Sequence, residues 1–195
     1  MKSPYDNHDI SEWKSITNKL INSHPLKTKD IVRTVLEAWN EIFDSSIGNY
    51  KIGIDIFPKP QILGFFLHEL IALKFQTAYP TSWRVEKNVD DKDIVCIENP
   101  LYSIELKTSS SDKNIYGNRS YSQNTETDKK SKSGYYLAVN FQKFTNSTTH
   151  PKIISIRFGW LDHDDWIGQK SQSGQQARLS RDVEQNKLIS IYSNS

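Results

Sequence analysis

One cysteine, Cys96, in 195 residues excludes an internal disulfide and any cysteine-rich zinc centre. No apolar run approaches the ~20 residues that a membrane-crossing helix requires. The opening Met-Lys-Ser-Pro-Tyr-Asp-Asn-His-Asp carries no apolar signal region. A cytoplasmic protein with no membrane partner is therefore expected. Charge of one sign is also scarce. The balance of 25 Lys and Arg against 23 Asp and Glu gives +2, which neither announces nor excludes a polyanion ligand, since basic residues can cluster on one face. No Gly-x-x-x-x-Gly-Lys-Ser/Thr loop occurs, so no nucleotide cofactor is expected. No Gly-x-Ser-x-Gly elbow is present for a hydrolase triad. His163-Asp164-Asp165 has no second histidine at ligand spacing and reads as a helix start, where acids are favoured in the first turn.

What remains is ordinary soluble-protein composition, with 36% hydrophobic and 25% charged residues. The length suits one domain with a single substantial core. Residues 9–23 place Ile10, Trp13, Ile16, Leu20 and Ile21 at helical spacing. A clearer stripe runs from Ile31 through Val35 and Trp39 to Phe43, with Thr28 as its expected N-cap. Residues 61–76 are apolar almost all round, the mark of a helix central to the fold. From Trp83 the β-branched and aromatic content predicts strands at 83–87, 94–97, 103–108, 135–141 and 153–160, and a closing strand at 187–192. The pattern predicts one α/β domain, residues 1–195, with a central mixed β-sheet flanked by helices. Residues 1–80 are mainly helical and 81–195 carry the sheet and loops. The polar stretch 109–134 is too long for an ordinary connection and points to function or mobility.

The chemistry concentrates in two strand-like segments, Asp93-Ile94-Val95-Cys96-Ile97 and Ser103-Ile104-Glu105-Leu106-Lys107-Thr108, with Glu98-Asn99-Pro100 as a turn between them. Side chains two apart on a strand share a face, so Glu105 and Lys107 point one way while Ile104 and Leu106 face the core. A hairpin brings Asp93 towards Glu105. Two carboxylates and an ammonium at a sheet edge are costly to bury without a partner. A divalent cation is the expected one, since Mg²⁺ typically takes one or two protein carboxylates and keeps its waters. The bland alternative is an edge hairpin with a surface salt bridge. Glu69, in the apolar helix, is either a further metal ligand aimed at the same pair or an exposed carboxylate pairing with a cation. Its neighbour His68 reads as structural.

On these residues the chain resembles the PD-(D/E)xK nucleases and, more narrowly, the ScaI-type type II restriction endonucleases. The matching stretches are Asp91-Lys92-Asp93-Ile94-Val95-Cys96 and Tyr102 to Ser110, then Ile115 to Tyr121, Lys132 to Phe141, Arg157 to His163, and Gly174-Gln175-Gln176-Ala177. The resemblance implies Asp93 and Glu105 as metal ligands and Lys107 as the catalytic lysine. It also implies Mg²⁺ as cofactor and double-strand cleavage of palindromic DNA by a homodimer. Lys92 stands where the superfamily has proline, which leaves Asp91 as a competing ligand.

Base reading is expected after the catalytic strand. Arginine suits guanine, while Asn and Gln suit adenine, each through two hydrogen bonds. Asn118, Arg119, Tyr121, Gln123 and Asn124 supply such groups, with Ser109 at the strand's end. Lys113, Lys129, Lys130 and Lys132 are candidates for phosphate contacts that position without reading sequence. Gln172, Gln175 and Gln176 read as surface. Trp39 and Phe43 are candidates for a dimer interface, with ordinary core as the alternative. Two other functions fit the same residues: a repair or junction-cleaving nuclease, and a DNA-binding module without catalysis.

Overall fold

The computed structural model describes residues 2–122, 132–170 and 174–194. Gln123, Asn124, Lys129, Lys130 and Gln172 lie outside the described residues. Helix α1 (Ile10–Ser23) starts where the Glu12 carboxylate accepts from the Asp9 amide at 3.1 Å, and it buries Thr17 and Ile21. Helix α2 (Thr28–Asp44) turns Ile31, Val35, Ala38, Trp39 and Ile42 inward. Lys27, not Thr28, holds its N-cap position and offers no side-chain cap. A two-residue-per-strand hairpin, β1 (Ser46–Ile47) with β2 (Tyr50–Lys51), leads to α3 (Pro60–Ala78), whose proline occupies the first turn, where a missing N–H costs nothing.

The main sheet uses β3 (Trp83–Val85), β4 (Ile94–Cys96), β5 (Ile104–Ser109), β7 (Gly134–Phe141), β8 (Ile153–Leu161) and β11 (Leu188–Ser193). Its order is β11-β8-β7-β5-β4-β3. Every neighbouring pair is antiparallel except β5 and β7, which are parallel. This is the mixed sheet expected from the sequence. A parallel pair needs a crossover rather than a tight turn. That crossover carries β6 (Tyr116–Asn118), which joins β9 (Trp166–Gly168) and β10 (Gln176–Leu179) in a smaller sheet of order β6-β10-β9. A short helix α4 (Arg181–Asn186) connects β10 to β11.

All eight residues of β7 are buried, because both faces of the main sheet are covered. Tyr135, Leu137, Val139 and Phe141 join the helices in one core, while Tyr136 and Ala138 pack with Ile115, Trp166, Ala177 and Leu179 of the smaller sheet in a second. Strands β4 and β5 are therefore interior, so the expectation of a sheet edge is corrected. Trp39 belongs to the first core, its indole donating to the Pro151 carbonyl at 3.0 Å, and Phe43 is half-buried. Trp39 is thus core, not interface.

A buried cation ties the chain's beginning to its end. Lys187 is 3% exposed, and its Nζ lies 2.8 Å from Asp165 Oδ1 and 3.1 Å from Asp162 Oδ2. The same ammonium stands over the rings of Tyr5 and Trp13, 4.1 and 4.4 Å from their centroids. Removing one partner of a buried pair leaves the other charge uncompensated. Lys187→Met is expected to lower the unfolding free energy by about 3 kcal/mol, measured by urea denaturation of the folded chain.

Candidate active site

Asp93 and Glu105 meet because of register. Ile94 of β4 faces Ile104 of β5 across an antiparallel pair, so the residue before Ile94 sits beside the residue after Ile104. Seven residues, 97–103, connect the strands, and a one-turn 3-10 helix at Pro100–Tyr102 sits within that connection in place of a tight turn. Asp93 is 6% exposed; its Oδ2 accepts from the Leu106 amide at 2.6 Å and lies 3.2 Å from His68 Nε2. Burial draws the His68 pKa down, but the hydrogen bond to Asp93 and the aspartate's charge outweigh it and leave the imidazole raised. His68 reaches Asp93 because Gly64, one turn earlier on α3, lets the helix approach β5. A Cβ there would come within 2.8 Å of Thr108 Oγ1.

Glu105 is 3% exposed and lies on the face of β5 that looks towards the smaller sheet, opposite Tyr136 of β7. Lys107, two residues on, donates from Nζ to Glu105 Oε1 at 2.8 Å. The hydroxyl of Tyr121 donates to the same Oε1 and accepts from Lys107 Nζ at 2.9 Å. Burial first, and then the charge of Glu105, push the Tyr121 pKa well up. Asp93, Glu105 and Lys107 are thus brought together on β4 and β5.

Two other candidate ligands stand apart. Asp91 is engaged by Arg84, whose Nη1 and Nη2 donate at 2.7 and 3.1 Å, and its Oδ2 accepts from the amides of Lys87 and Asn88. The Arg84 guanidinium, with those amides, holds the Asp91 carboxyl far below the usual carboxylate range. Glu69 is exposed, so the argument from an unwelcome buried charge does not apply to it. Helix α3 turns Ile62, Phe65 and Leu73 outward as well. Among the described residues no three His, Cys, Asp or Glu side chains gather for a metal, so Glu69 does not complete a trio with Asp93 and Glu105.

A cleft opens beside the site, between Gly64, Phe65, His68 and Glu69 on α3 and Thr108, Ser109, Tyr116 and Gln176 across from it. Tyr116 and Gln176 also line a second, broader cleft with Lys14, Lys113, Arg157, Arg178 and Arg181. The cleft beside His68 and the basic trough therefore share a wall at Tyr116 and Gln176. Asn118 is exposed on β6, opposite Gln176. The backbone amide of Arg119 donates to Gln175 at 2.8 Å and its guanidinium donates to the Gly174 carbonyl at 3.3 Å. Ser109 Oγ accepts from the Ser111 amide at 3.1 Å, and Lys113 is exposed. Lys132 donates to the Ser120 carbonyl. The expectation that His68 is structural did not include its contact with Asp93, and the sequence did not pick out Arg178 and Arg181, which carry no signal as isolated charges on a short strand and helix.

A mixed sheet flanked by helices, with a carboxylate pair and a lysine on adjacent inner strands, defines a restriction-endonuclease-like nuclease fold. The family model for the ScaI restriction endonuclease matches residues 3–192. The Type II restriction enzyme ScaI of Streptomyces caespitosus is 44% identical over 193 residues, covering 97% of this chain and 85% of that protein. The chain belongs to the ScaI restriction endonuclease family and is a site-specific endonuclease. No solved structure matches it. Among the described residues, no helix is long and apolar enough to cross a membrane.

The geometry engages Asp91 in a local structural pair and leaves Asp93 beside Glu105. Asp91→Asn is expected to cost about 1 kcal/mol of stability at pH 7 through its lost ion pair and caps. Because the native Asp91 pKa is depressed, this contribution is complete above the ordinary value of ~4 and fades as pH falls below it. Thermal melts of the variant and the parent from pH 7 down to pH 3 should therefore converge in acid.

Proposed function

We propose that the chain cleaves both strands of palindromic DNA as a homodimer, with Asp93 and Glu105 holding Mg²⁺ and Lys107 acting at the scissile phosphate. The observation that carries this reading is the convergence of two carboxylates that are almost fully buried, one of them hydrogen-bonded to Lys107. Hard carboxylate oxygens from adjacent strands suit a small, hard cation, which keeps most of its waters. Bound there, Mg²⁺ supplies charge to offset the phosphate and to acidify water.

The protein's own groups do the positioning. The Leu106 amide and His68 fix the Asp93 carboxylate, so little reorganisation is needed when a cation arrives. Lys107 presents an ammonium beside Glu105, where it can donate to a phosphoryl oxygen and favour hydroxide over water. The water oxygen bonds to phosphorus, the ester P–O bond breaks, and the departing alkoxide takes up a proton. Burial lowers the local dielectric and strengthens each of these interactions relative to open solvent.

DNA is read from the neighbouring surface. Arg119 and Asn118 offer two-point contacts to guanine and adenine, and Tyr121 and Ser109 extend the same contact region. Lys113 and the basic trough hold phosphates and fix the duplex without sequence preference. Cutting two strands at a palindrome calls for two sites related by a two-fold axis, hence the homodimer. Membership of the family favours this reading over a junction-cleaving nuclease or a non-catalytic binder.

Phage DNA incubated with the protein and Mg²⁺ should yield discrete fragments, and chelator should abolish them. Lys107→Ala should reduce the cleavage rate by a factor of about 10² to 10³ while duplex binding changes little. A smear, or intact DNA, counts against the proposal. Arg119→Ala should lose about 1–3 kcal/mol of discrimination at one base position. Lys113→Ala should weaken all duplexes alike and reduce the salt slope by about one, as read from binding titrations at several salt concentrations.

A further inference from the structure

Tyr121 has a place in the site that base reading does not explain. It ends the run Tyr116 to Tyr121, which begins with β6 and continues into the 3-10 turn Arg119–Ser122. Its hydroxyl bonds to Glu105 and to Lys107, and the Lys107 ammonium stands 4.5 Å from its ring centroid. The ring is seated edge-on against Trp166, with centroids 5.3 Å apart. Gly117 completes the seat: a Cβ there would come within 3.1 Å of the Trp166 ring and 3.2 Å of the Tyr121 ring. The seat of Tyr121 and the exposed Asn118 therefore belong to one three-residue strand.

The hydroxyl also occupies one of the two oxygens through which Glu105 could hold a cation. Glu105 Oε1 accepts from a hydroxyl and from an ammonium. The hydrogens of both donors are directed at that oxygen and repel a second positive charge approaching it. A cation binding at Oε1 must turn at least one of them away.

We propose that Tyr121 is a positioning residue that couples DNA recognition to the active site. In the DNA-free protein it holds Glu105 and Lys107 in a closed hydrogen-bonded triangle that competes with the metal for Oε1. Engagement of a target by Asn118 and Arg119 shifts the segment, withdraws the hydroxyl, and frees both groups for metal and phosphate. The inference rests on the assignment of Asp93, Glu105 and Lys107 proposed above, and it makes metal binding follow recognition.

Tyr121→Phe deletes the hydroxyl and keeps the ring on Trp166. In the DNA-free protein, Mn²⁺ titration followed by electron paramagnetic resonance should show binding about five-fold tighter than in the parent. The ratio of kcat on the target to kcat on a duplex altered at one base should fall about ten-fold, with KM for the target nearly unchanged. Unchanged or weaker Mn²⁺ binding, in a variant that melts like the parent, overturns the proposal. Should the variant fail to fold, the parent protein with ¹³C-labelled tyrosine provides a second measurement. Target duplex with Mg²⁺ should shift the Tyr121 ring signal and non-target duplex should not; equal shifts, or none, overturn the coupling. Glu105→Gln and Lys107→Ala separate the two levels. If they cleave like the parent, the active-site assignment fails. If they are inactive while Tyr121→Phe binds Mn²⁺ like the parent, the coupling alone fails.

Discussion

The structure depends on a sheet that is covered on both faces at the strand that carries charge. Burying Glu105 would be prohibitive on a bare apolar face, because an ionised carboxylate removed from water must find compensating partners. The compensation comes from three places at once: Lys107 on the same strand, Tyr121 from the crossover, and the smaller sheet that closes the space around them. The parallel pairing of β5 with β7 is what makes this possible. A tight hairpin between them would leave no chain to spare. The crossover that parallel geometry demands supplies β6, the tyrosine and the lid over the second core.

The same arrangement sets the proposed reading surface next to the proposed active site. Residues at the end of β5 turn out of the sheet into the cleft, and β6 returns along its far wall. Groups suited to base edges thus stand a few residues from groups that bind the acidic pair. The neighbouring trough collects the basic residues that a net charge of +2 conceals. Bulk charge was silent because Asp and Glu elsewhere, such as Asp91 with Arg84, cancel it in local structural pairs.

Much of this was legible in the residues. Two segments of alternating character with a turn between them fix which side chains share a face, so the neighbourhood of Asp93 and Glu105 followed from periodicity alone. The stripe on α2 likewise named its buried face correctly. Other features were not legible for physical reasons. The apolar content of residues 61–76 said that α3 would be central, but with apolar residues on every side it gave no orientation. Glu69 therefore came out exposed, beside Phe65 and Leu73, and His68 took the inward position. Strands β6, β9 and β10 are three or four residues long, too short for a period to register. With them went the covering of the sheet, and so the expectation of an edge. The partnership of Tyr121 with Glu105 spans 16 residues of a stretch without periodicity, and nothing local encodes it.

Among the described residues, Lys187 and Lys107 each sit in a cluster with buried carboxylates, and their difference explains why one is read as catalytic. Lys187 faces two aspartates and two aromatic rings with its side chain 4% exposed, while Lys107 shares Glu105 with a tyrosine at 16%. In the first cluster two carboxylates enclose one ammonium and the aromatic rings seal it, so its charges have little to gain from a new ligand. In the second, Asp93 and Glu105 place two carboxylates near one ammonium, with Asp93 bonded to His68 at the edge of a cleft. Composition alone would rank the two alike. What separates them is exposure: Lys107 is partly open to solvent and Asp93 is paired with His68, which lines a cleft, whereas Lys187 is sealed. Buried charge becomes chemistry where the fold leaves it a route to solvent, and becomes structure where it does not.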